Sequence, residues 1–444
     1  MVAESTLTSA GGGGVMMVCP ADGEPVVFDF FTDMPTGCAV REDLDFFRVT
    51  VDFGPAAQDF HIGRGAAGVP SNVAGLLHAQ ERLGRLKPKT VLAPAIRAAS
   101  KGIPISSQQA MFVQMLAPIL THEPSGQALY APDGKLLEEG DRIVMPEFAA
   151  FLEELAVEGS RMFYHGETAR LIADWAESGG LIQRSDLENY RVQERKPLVC
   201  NFCDHTVLLN PPPASSGVLV DFTLTLMEKA GCTRTGHVSL RDLVCALEMT
   251  GQIRDVRMSN AAGPKHHFSL SEDDWKGCLK AFYERRPSPS PKTEPRTTGS
   301  TTHLSVLDRE GNGVSVTTTN GEGCGYILPG TGIMLNNMLG EQDLNPLGFH
   351  NWIDQKRMPT LISPSLLLEK SGDNKFPVSR LIHAMSLTNT ARHEVCTDPN
   401  NESLYMHLLQ EDIFMHYMDM FSKKESSAEQ HSKQANRGCT THVS

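Results

Sequence analysis

Alternating apolar and polar positions predict a β-hairpin between residues 301 and 320. Thr, Ser and apolar residues alternate through TTHLSVL, a turn follows at Glu310-Gly311-Asn312, and the run GVSVTTT leaves the turn. A period of two is typical of strands, and Gly beside Asn is typical of a tight turn. The preceding stretch, ERRPSPSPKTEPRTTGS, has the proline-rich and serine-rich composition of a flexible linker. The pattern therefore predicts a strand that begins where a linker ends.

Upstream of the linker, helical and strand patterns are interleaved. Two short strands joined by the turn ADGE are predicted within residues 11–31, and helical periodicity from Asn72 to Ala99 is broken at Lys87-Pro88. Further helices are predicted in MPEFAAFLEELAVEG and GETARLIADWAESGG. Residues 194–228 predict strand, turn, strand and helix. Antiparallel hairpins between helices, without repeated βαβ units, indicate the α+β class.

The composition divides the chain into three regions. Residues 1–300 form the first, with the linker at 285–300, and residues 301–368 form a strand-rich second. Residues 369–444 form a tail that we expect to be partly disordered, with one amphipathic helix in ESLYMHLLQEDIFMHYMDMFSKKE.

Charge and cysteine content exclude several classes of protein. The formal net charge is −13 and no basic stripe is present, which argues against a nucleic-acid partner. No apolar run is long enough to span a bilayer, and no signal peptide is visible, so the localisation stays open. The ten cysteines are scattered, and the C-x-x-C at Cys200 and Cys203 lacks a second pair, so we expect free thiols and no metal site.

The hairpin offers a nucleophile at Thr301. If the Ser300–Thr301 bond is cut, the new α-amine, with an ordinary pKa of about 8, can act as the base for the Thr301 hydroxyl. The same hydroxyl can make the cut by attacking the Ser300 carbonyl, and water then releases the ester. A turn centred near Glu310-Gly311 places Thr301 opposite Thr319 or Asn320. The pattern also fits an ordinary threonine-rich strand, because β-branched residues suit a pleated sheet.

Several motifs resemble the γ-glutamyltranspeptidase family. TTHLSVLDREGNGVSVTTTNGEG and PGTGIMLNNMLGEQDLNP are similar to the start of its small subunit. The resemblance extends upstream through GAAGVPSNVAGLLHAQERLGRLKPKTVLAPAIRAA, FYHGETARLIADWAESGGLIQRSDLENY and NPPPASSGV, and covers most of residues 8–368. It implies an autoprocessing N-terminal-nucleophile hydrolase with a four-layer αββα sandwich and no metal or organic cofactor. It also implies that self-cleavage leaves a large and a small fragment as partners.

The resemblance implies roles for individual residues. Thr301 matches the nucleophile, Ser300–Thr301 matches the cleaved bond, and Thr319 matches the threonine that steadies the nucleophile. The remaining matches concern the substrate: Asn320 beside its α-carboxylate and α-amine, Glu341 as the acceptor of its ammonium group, Glu322 as a further candidate for that role, and Thr360 as the retained hydroxyl of a serine pair. Glu341 also fits a solvated loop carboxylate.

Three departures from the family leave the function open. The segment FDFFTDMPTG lacks the arginine that holds the substrate carboxylate, and Leu361 replaces the second serine hydroxyl. No Gly-Gly turn for an oxyanion hole follows ISPSLLLE, so the sandwich is expected to be incomplete at the N-terminus and after about residue 368. Three functions remain: a γ-glutamyl transferase or hydrolase acting on glutathione, with water or an amino acid as acceptor; an acylase with another acyl-amide substrate; and a catalytically inactive truncated homologue.

Overall fold

The computed structural model describes residues 1–37, 42–52, 57–203, 205–233, 238–258, 270–284, 301–345, 348–351 and 357–369, together with residues 416, 420 and 440–442. In these residues the strands are β1 (Gly13–Cys19), β2 (Val26–Phe30), β3 (Phe47–Asp52), β4 (Ala57–Ile62), β5 (Ile103–Pro104), β6 (Arg142–Ile143), β7 (Gln193–Arg195), β8 (Leu198–Phe202), β9 (His205–Leu209), β10 (Thr302–Leu307), β11 (Gly313–Thr319), β12 (Ile327–Leu328), β13 (Ile333–Met334), β14 (Leu366–Glu369) and β15 (Thr440–His442).

The α-helices of the described residues are α1 (Asn72–Leu83), α2 (Pro88–Lys101), α3 (Ser107–Met115), α4 (Ala117–Leu120), α5 (Pro124–Tyr130), α6 (Pro146–Glu158), α7 (Ser160–Tyr164), α8 (Glu167–Ala176), α9 (Arg184–Glu188), α10 (Ser216–Lys229), α11 (Leu240–Met258) and α12 (Glu272–Glu284). The predicted helical stretch from Asn72 is indeed interrupted before Pro88, which occupies the first turn of α2, where a missing N–H is harmless. Helix α6 buries Phe148, Phe151, Leu152 and Leu155, the spacing of one helical face.

Two antiparallel sheets form the centre of the fold. The larger sheet has six strands in the order β15-β10-β11-β1-β2-β7, and the smaller has the order β14-β9-β8. Val15, Met17 and Val27 of the larger sheet pack against Leu208 of the smaller one. Successive side chains of a strand point to opposite faces, so these alternate residues form the core between the sheets.

Helices cover both outer faces. On the larger sheet, Phe28 and Phe30 pack with Ala79 of α1. On the smaller sheet, Val207 and Leu209 pack with residues of α10, and α11 and α12 pack on α10 in turn. The layers therefore run helix, sheet, sheet, helix, and the predicted αββα sandwich is confirmed.

Of the other predictions from the sequence, some are confirmed and some concern residues outside the described ranges. The strand-turn-strand-helix order of residues 194–228 is observed as β8, β9 and α10. Cys200 is buried while Cys203 is exposed at the turn between β8 and β9. The linker at 285–300 lies outside the described residues, as does most of the tail, although Thr440–His442 pairs with β10 at the sheet edge. No helix in the described part of the chain is both long and apolar enough to cross a membrane.

Candidate active site

The register of the hairpin places Thr301 opposite Thr319. Strands β10 and β11 pair from Leu307 with Gly313 to Thr302 with Thr318, so the same register continued by one residue aligns Thr301 with Thr319. Of the two partners that the turn position allowed, the register thus selects Thr319 over Asn320. Thr301 is half-buried and Thr319 is buried. Ser300, the other side of the predicted cleavage bond, lies outside the described residues.

Glycine residues let this end of β11 approach its neighbours. The backbone of Gly12 lies so close to the Thr319 carbonyl that a Cβ at Gly12 would overlap it. On the other side, the Gly321 N–H donates to Thr319 Oγ1 over 3.0 Å. Gly321 has φ +59°, a left-handed conformation that glycine adopts without strain. The chain therefore turns immediately after Thr319 and keeps its hydroxyl engaged.

The structure brings both predicted carboxylates to this turn. A Cβ on Gly321 would overlap Glu341 Oε1 and Asn337 Oδ1, so the Glu341 side chain lies directly against Gly321. Glu322 is only 1% exposed. Burial, the nearby Glu322 carboxylate and Asp343 raise the pKa of Glu341 well above its usual range. Glu322 is buried and Glu341 is half-buried, and two neighbouring carboxyl groups in such a place favour a shared proton or a bound cation.

The Asn320 amide is held by protein groups on both sides. Its Oδ1 accepts a hydrogen bond from Ser9 Oγ over 2.9 Å, and its Nδ2 donates to the Leu335 carbonyl over 3.2 Å. The Asn320 N–H also donates to the Leu7 carbonyl. These bonds fix the orientation of the amide beside Thr319. The predicted contact with substrate stays a prediction.

Two asparagines that the sequence analysis gave no role organise the loop before Glu341. Asn337 Oδ1 accepts from the Glu322 N–H over 2.9 Å. Asn336 Oδ1 accepts from the Gly68 N–H, and its Nδ2 donates to the carbonyls of Gly11 and Gly68. The stretch LNNMLGE contained the signal, because buried amides of this kind serve as cross-links between backbone segments.

Thr360 lies in a neighbouring segment that packs on the same loop. Its Oγ1 accepts from the Ile362 N–H, and its carbonyl accepts from the Ser215 N–H. Two residues earlier, Met358 shares a buried apolar cluster with Met338 and Leu339. The oxygen of the hydroxyl predicted to assist substrate binding thus accepts a hydrogen bond within the chain, and its contact with substrate stays a prediction.

An arginine is buried near the segment that lacks one. Arg357 donates to Asp33 Oδ1 over 2.6 Å and to Asp29 Oδ1 over 2.7 Å. Its remaining bonds go to the carbonyls of Asp29 and Arg191. The guanidinium therefore bridges two buried carboxylates of the chain itself, and Asp29 Oδ2 also pairs with Arg195 Nε over 2.8 Å.

Aromatic rings flank the loop on its other side. Phe46 stacks on His61 at 4.9 Å between ring centroids, Phe349 contacts both rings, and His350 contacts Phe46. The His61 carbonyl accepts from Asn337 Nδ2 over 3.4 Å, which ties this ring cluster to the Glu341 loop. Burial lowers the pKa values of both histidines, so the cluster is uncharged at neutral pH.

Within the described ranges, no three His, Cys, Asp or Glu side chains converge to hold a metal ion. The site is therefore assembled from hydroxyls, amides and paired carboxylates. Such groups fit nucleophilic attack on an amide and recognition of a cation.

The αββα sandwich, with a threonine rung at the start of β10 and carboxylates beside it, defines the class of N-terminal-nucleophile hydrolases. The sequence model of the gamma-glutamyltranspeptidase family matches residues 1–378 of the chain. The chain belongs to this family of enzymes, whose members act on γ-glutamyl substrates and are processed from a proenzyme into subunits.

Relatives include acylases and glutathione hydrolases. The chain is 30% identical over 388 residues to the Acylase ACY 1 proenzyme of Pseudomonas sp. (strain SE83), covering 83% of this chain and 68% of the relative. It is 27% identical to the Glutathione hydrolase proenzyme of Bacillus subtilis (strain 168), covering 83% and 67%.

Solved structures show the same fold. The cephalosporin acylase from Bacillus halodurans superposes with a TM-score of 0.65 at 21% identity, over 83% of this chain and 68% of that chain. The Helicobacter pylori γ-glutamyltranspeptidase has a TM-score of 0.51 at 26% identity, over 65% and 85%. The chain is thus a hydrolase or acylase of this family.

Proposed function

We propose that the chain is an autoprocessing threonine-type γ-glutamyl transferase or hydrolase that acts on glutathione and related γ-glutamyl compounds. The observation that carries the proposal is the arrangement around Gly321. Its N–H binds Thr319, which lies opposite Thr301, and its α-carbon contacts the Glu341 carboxylate. A nucleophile and an ammonium acceptor on either side of one turn suit a substrate with a reactive amide and a cationic head group.

Processing begins with Thr301 Oγ1 attacking the Ser300 carbonyl. The peptide C–N bond breaks as the ester C–O bond forms, and the nitrogen receives the hydroxyl proton to become the Thr301 α-amine. Water then hydrolyses the ester, which leaves a free carboxylate on Ser300 and restores the hydroxyl. The base for later turnover is thereby created by the cleavage itself.

Turnover uses the same atoms. The Thr301 α-amine takes the proton from Oγ1, which attacks the γ-amide carbonyl, and the amine of the leaving group departs with that proton. The resulting acyl ester is attacked by water, which gives hydrolysis, or by an amino acid, which gives transfer. Thr319 orients the hydroxyl during both steps.

The paired carboxylates suit the head group of the substrate. An ammonium group placed between Glu322 and Glu341 relieves the repulsion between the two carboxylates and allows both to be ionised. A charged group removed from water needs such a partner, and a charge-assisted hydrogen bond is stronger than a neutral one.

The test is intact-mass analysis of purified full-length protein, with N-terminal sequencing of any fragment. We expect a fragment beginning at Thr301, no cleavage in Thr301→Ala, and slow cleavage in Thr301→Ser. Thr302→Ala is the matched control, because alternation along a strand turns its side chain to the other face. An uncut wild-type chain that is folded would contradict the proposal and favour the inactive homologue.

A second candidate is an acylase for another acyl amide. Arg357 is occupied by Asp29 and Asp33, and the ring cluster of Phe46, His61, Phe349 and His350 offers apolar surface next to the Glu341 loop. Similarity to curated acylases supports this candidate as well. Rates for a γ-glutamyl anilide against anilides of aromatic and aliphatic acids decide between the two.

A further inference from the structure

A strip of polar side chains lies on the inner face of the hairpin, next to the Thr301–Thr319 rung. On β11, Ser315, Thr317 and Thr319 are all buried, although each has a hydroxyl group. Their partners on β10 follow from the register, with His303 opposite Thr317 and Ser305 opposite Ser315. Val15 and Met17, which pair with Thr317 and Ser315 across β1, belong to the core between the two sheets. The strip therefore faces the interior of the sandwich.

His303 connects the two strands of this strip. One ring nitrogen, Nδ1, is 2.8 Å from Thr317 Oγ1, and the other, Nε2, is 2.9 Å from Ser305 Oγ. Ser315 Oγ is farther away, at 3.5 Å from Nε2. A neutral imidazole has one donor and one acceptor nitrogen, and a hydroxyl can play either role, so both short bonds form with either tautomer.

The contact between His303 and Thr317 lies two residues from Thr301 along β10. Thr301 directly precedes Thr302, the first residue of β10, so it lies at the end of the strand. After cleavage it would be a chain terminus, and chain termini fray unless they are tied down. A nucleophile must nevertheless be held to within about 0.5 Å of its productive position. A side-chain bond across the neighbouring rung is a suitable restraint.

We propose that His303 is a positioning residue, which clamps β10 to β11 through Thr317 and thereby holds Thr301 in place for self-cleavage and acyl transfer. The inference rests on the proposed function, because it takes Thr301 to be the nucleophile. The proposal assigns the positioning role to the bond between Nδ1 and Thr317. The bond between Nε2 and Ser305 is not needed for that role. Same-face residues on a strand are about 6.6 Å apart, so His303 acts on the geometry of Thr301 and not as its base.

Two variants of His303 separate the two ring nitrogens. The shorter amide of His303→Asn reaches the position of Nδ1 and can bond Thr317, whereas the longer amide of His303→Gln reaches toward the position of Nε2. We expect His303→Ala and His303→Gln to slow self-cleavage and lower kcat by about ten- to a hundredfold, because a misplacement of about 1 Å has effects of that size. His303→Asn should recover most of the loss. KM should stay within about twofold, because the head-group carboxylates lie on other segments.

Variants of Thr317 test the same contact with His303 from the β11 side. Thr317→Val keeps the shape of the side chain and removes the hydroxyl, and it should match His303→Ala, with the double variant no worse than either single one. Ser305→Ala is the matched control and should cleave at the wild-type rate. Thermal unfolding is measured for each variant, and also for each substitution combined with Thr301→Ala in an uncleaved chain. These measurements identify any general loss of folding.

The outcomes distinguish the inference from the function beneath it. A wild-type chain that cleaves, with His303→Ala, His303→Asn and His303→Gln cleaving equally fast, overturns the positioning role and leaves the proposed function intact. Equal losses in the Asn and Gln variants overturn the assignment to Nδ1. A folded wild-type chain that never cleaves overturns the proposed function, and the positioning role with it.

Discussion

The carboxylate of Glu341 lies against the α-carbon of Gly321, two residues after Thr319. This contact joins the loop that carries the predicted ammonium acceptor to the strand end that faces Thr301, the proposed nucleophile. It is possible only because residue 321 has no side chain and adopts φ +59°. The close approach of Glu341 to this strand end therefore depends on a single glycine.

Gly321→Ala should disrupt the site. Its Cβ would overlap Glu341 Oε1 and Asn337 Oδ1, and alanine is strained at this positive φ. We expect a loss of about 1–3 kcal/mol in the free energy of unfolding and at least a tenfold lower kcat/KM. Gly330→Ala is the control, because Gly330 has a similar φ of +72° but no atom within 4 Å of its Cβ position. Equal kcat/KM values for the two variants would contradict the role of the contact. Urea unfolding and a γ-glutamyl anilide assay supply the measurements.

The raised pKa of Glu341 predicts how stability depends on pH. The folded chain keeps a proton at Glu341 that the unfolded chain loses near the usual pKa of 4.5. Stability contributed by this group is therefore present at low pH and falls as the pH rises toward the folded pKa, by up to about 1.4 kcal/mol per pH unit. Glu341→Gln should lack this fall and be more stable than the wild type at pH 8. Its KM for a γ-glutamyl substrate should nevertheless rise about tenfold or more, since a charged partner is lost.

Chemical unfolding at several pH values checks the Glu341 prediction. Glu139→Gln is the matched control, because Glu139 is exposed and its replacement should leave the pH dependence unchanged. Parallel stability curves for the wild type and Glu341→Gln would show that the carboxyl group titrates normally.

The hydrogen bond between Ser9 and Asn320 predicts an effect on substrate binding. The Ser9 hydroxyl donates to Asn320 Oδ1 and also contacts the Met334 carbonyl, while it accepts from the Gly11 N–H. Ser9→Ala should leave the Asn320 amide less well oriented and raise KM severalfold, with a stability loss of about 1–2 kcal/mol. Thr331→Val removes a comparable buried hydroxyl, one that bonds Leu328 and Ile333, and should leave KM unchanged. A KM that rises equally in both variants would point to general loosening.

Arg357 should be far more important for stability than an exposed arginine. Arg357→Met removes the counter-charge shared by the buried Asp29 and Asp33, although Asp29 keeps its pair with Arg195, and we expect it to reduce the free energy of unfolding by about 3–5 kcal/mol. Arg48→Ala breaks an exposed ion pair with Asp59 and should change the free energy of unfolding by less than about 1 kcal/mol. Urea midpoints at equal m-values measure both. A fully active and stable Arg357→Met would mean that the carboxylates are tolerated without it.

The sequence alone determined the hairpin and its place in the fold. Alternation and the turn at Glu310-Gly311-Asn312 are local properties, and the loop length between two strands sets their register. The position of the turn therefore narrowed the partner of Thr301 to two residues, Thr319 and Asn320. The αββα sandwich followed from motifs that resemble a known family.

Only the tertiary structure decided how the predicted site residues are used. Asn320 is held by Ser9, and Arg357 by Asp29, over more than 300 residues of chain in each case. Glu322 and Glu341 are neighbours because Gly321 and Asn337 bring their segments together. Such contacts depend on packing between distant segments, which no local period or turn signal encodes. The sequence could thus name the carboxylates, while the effect of Glu322 on the pKa of Glu341 required the folded arrangement.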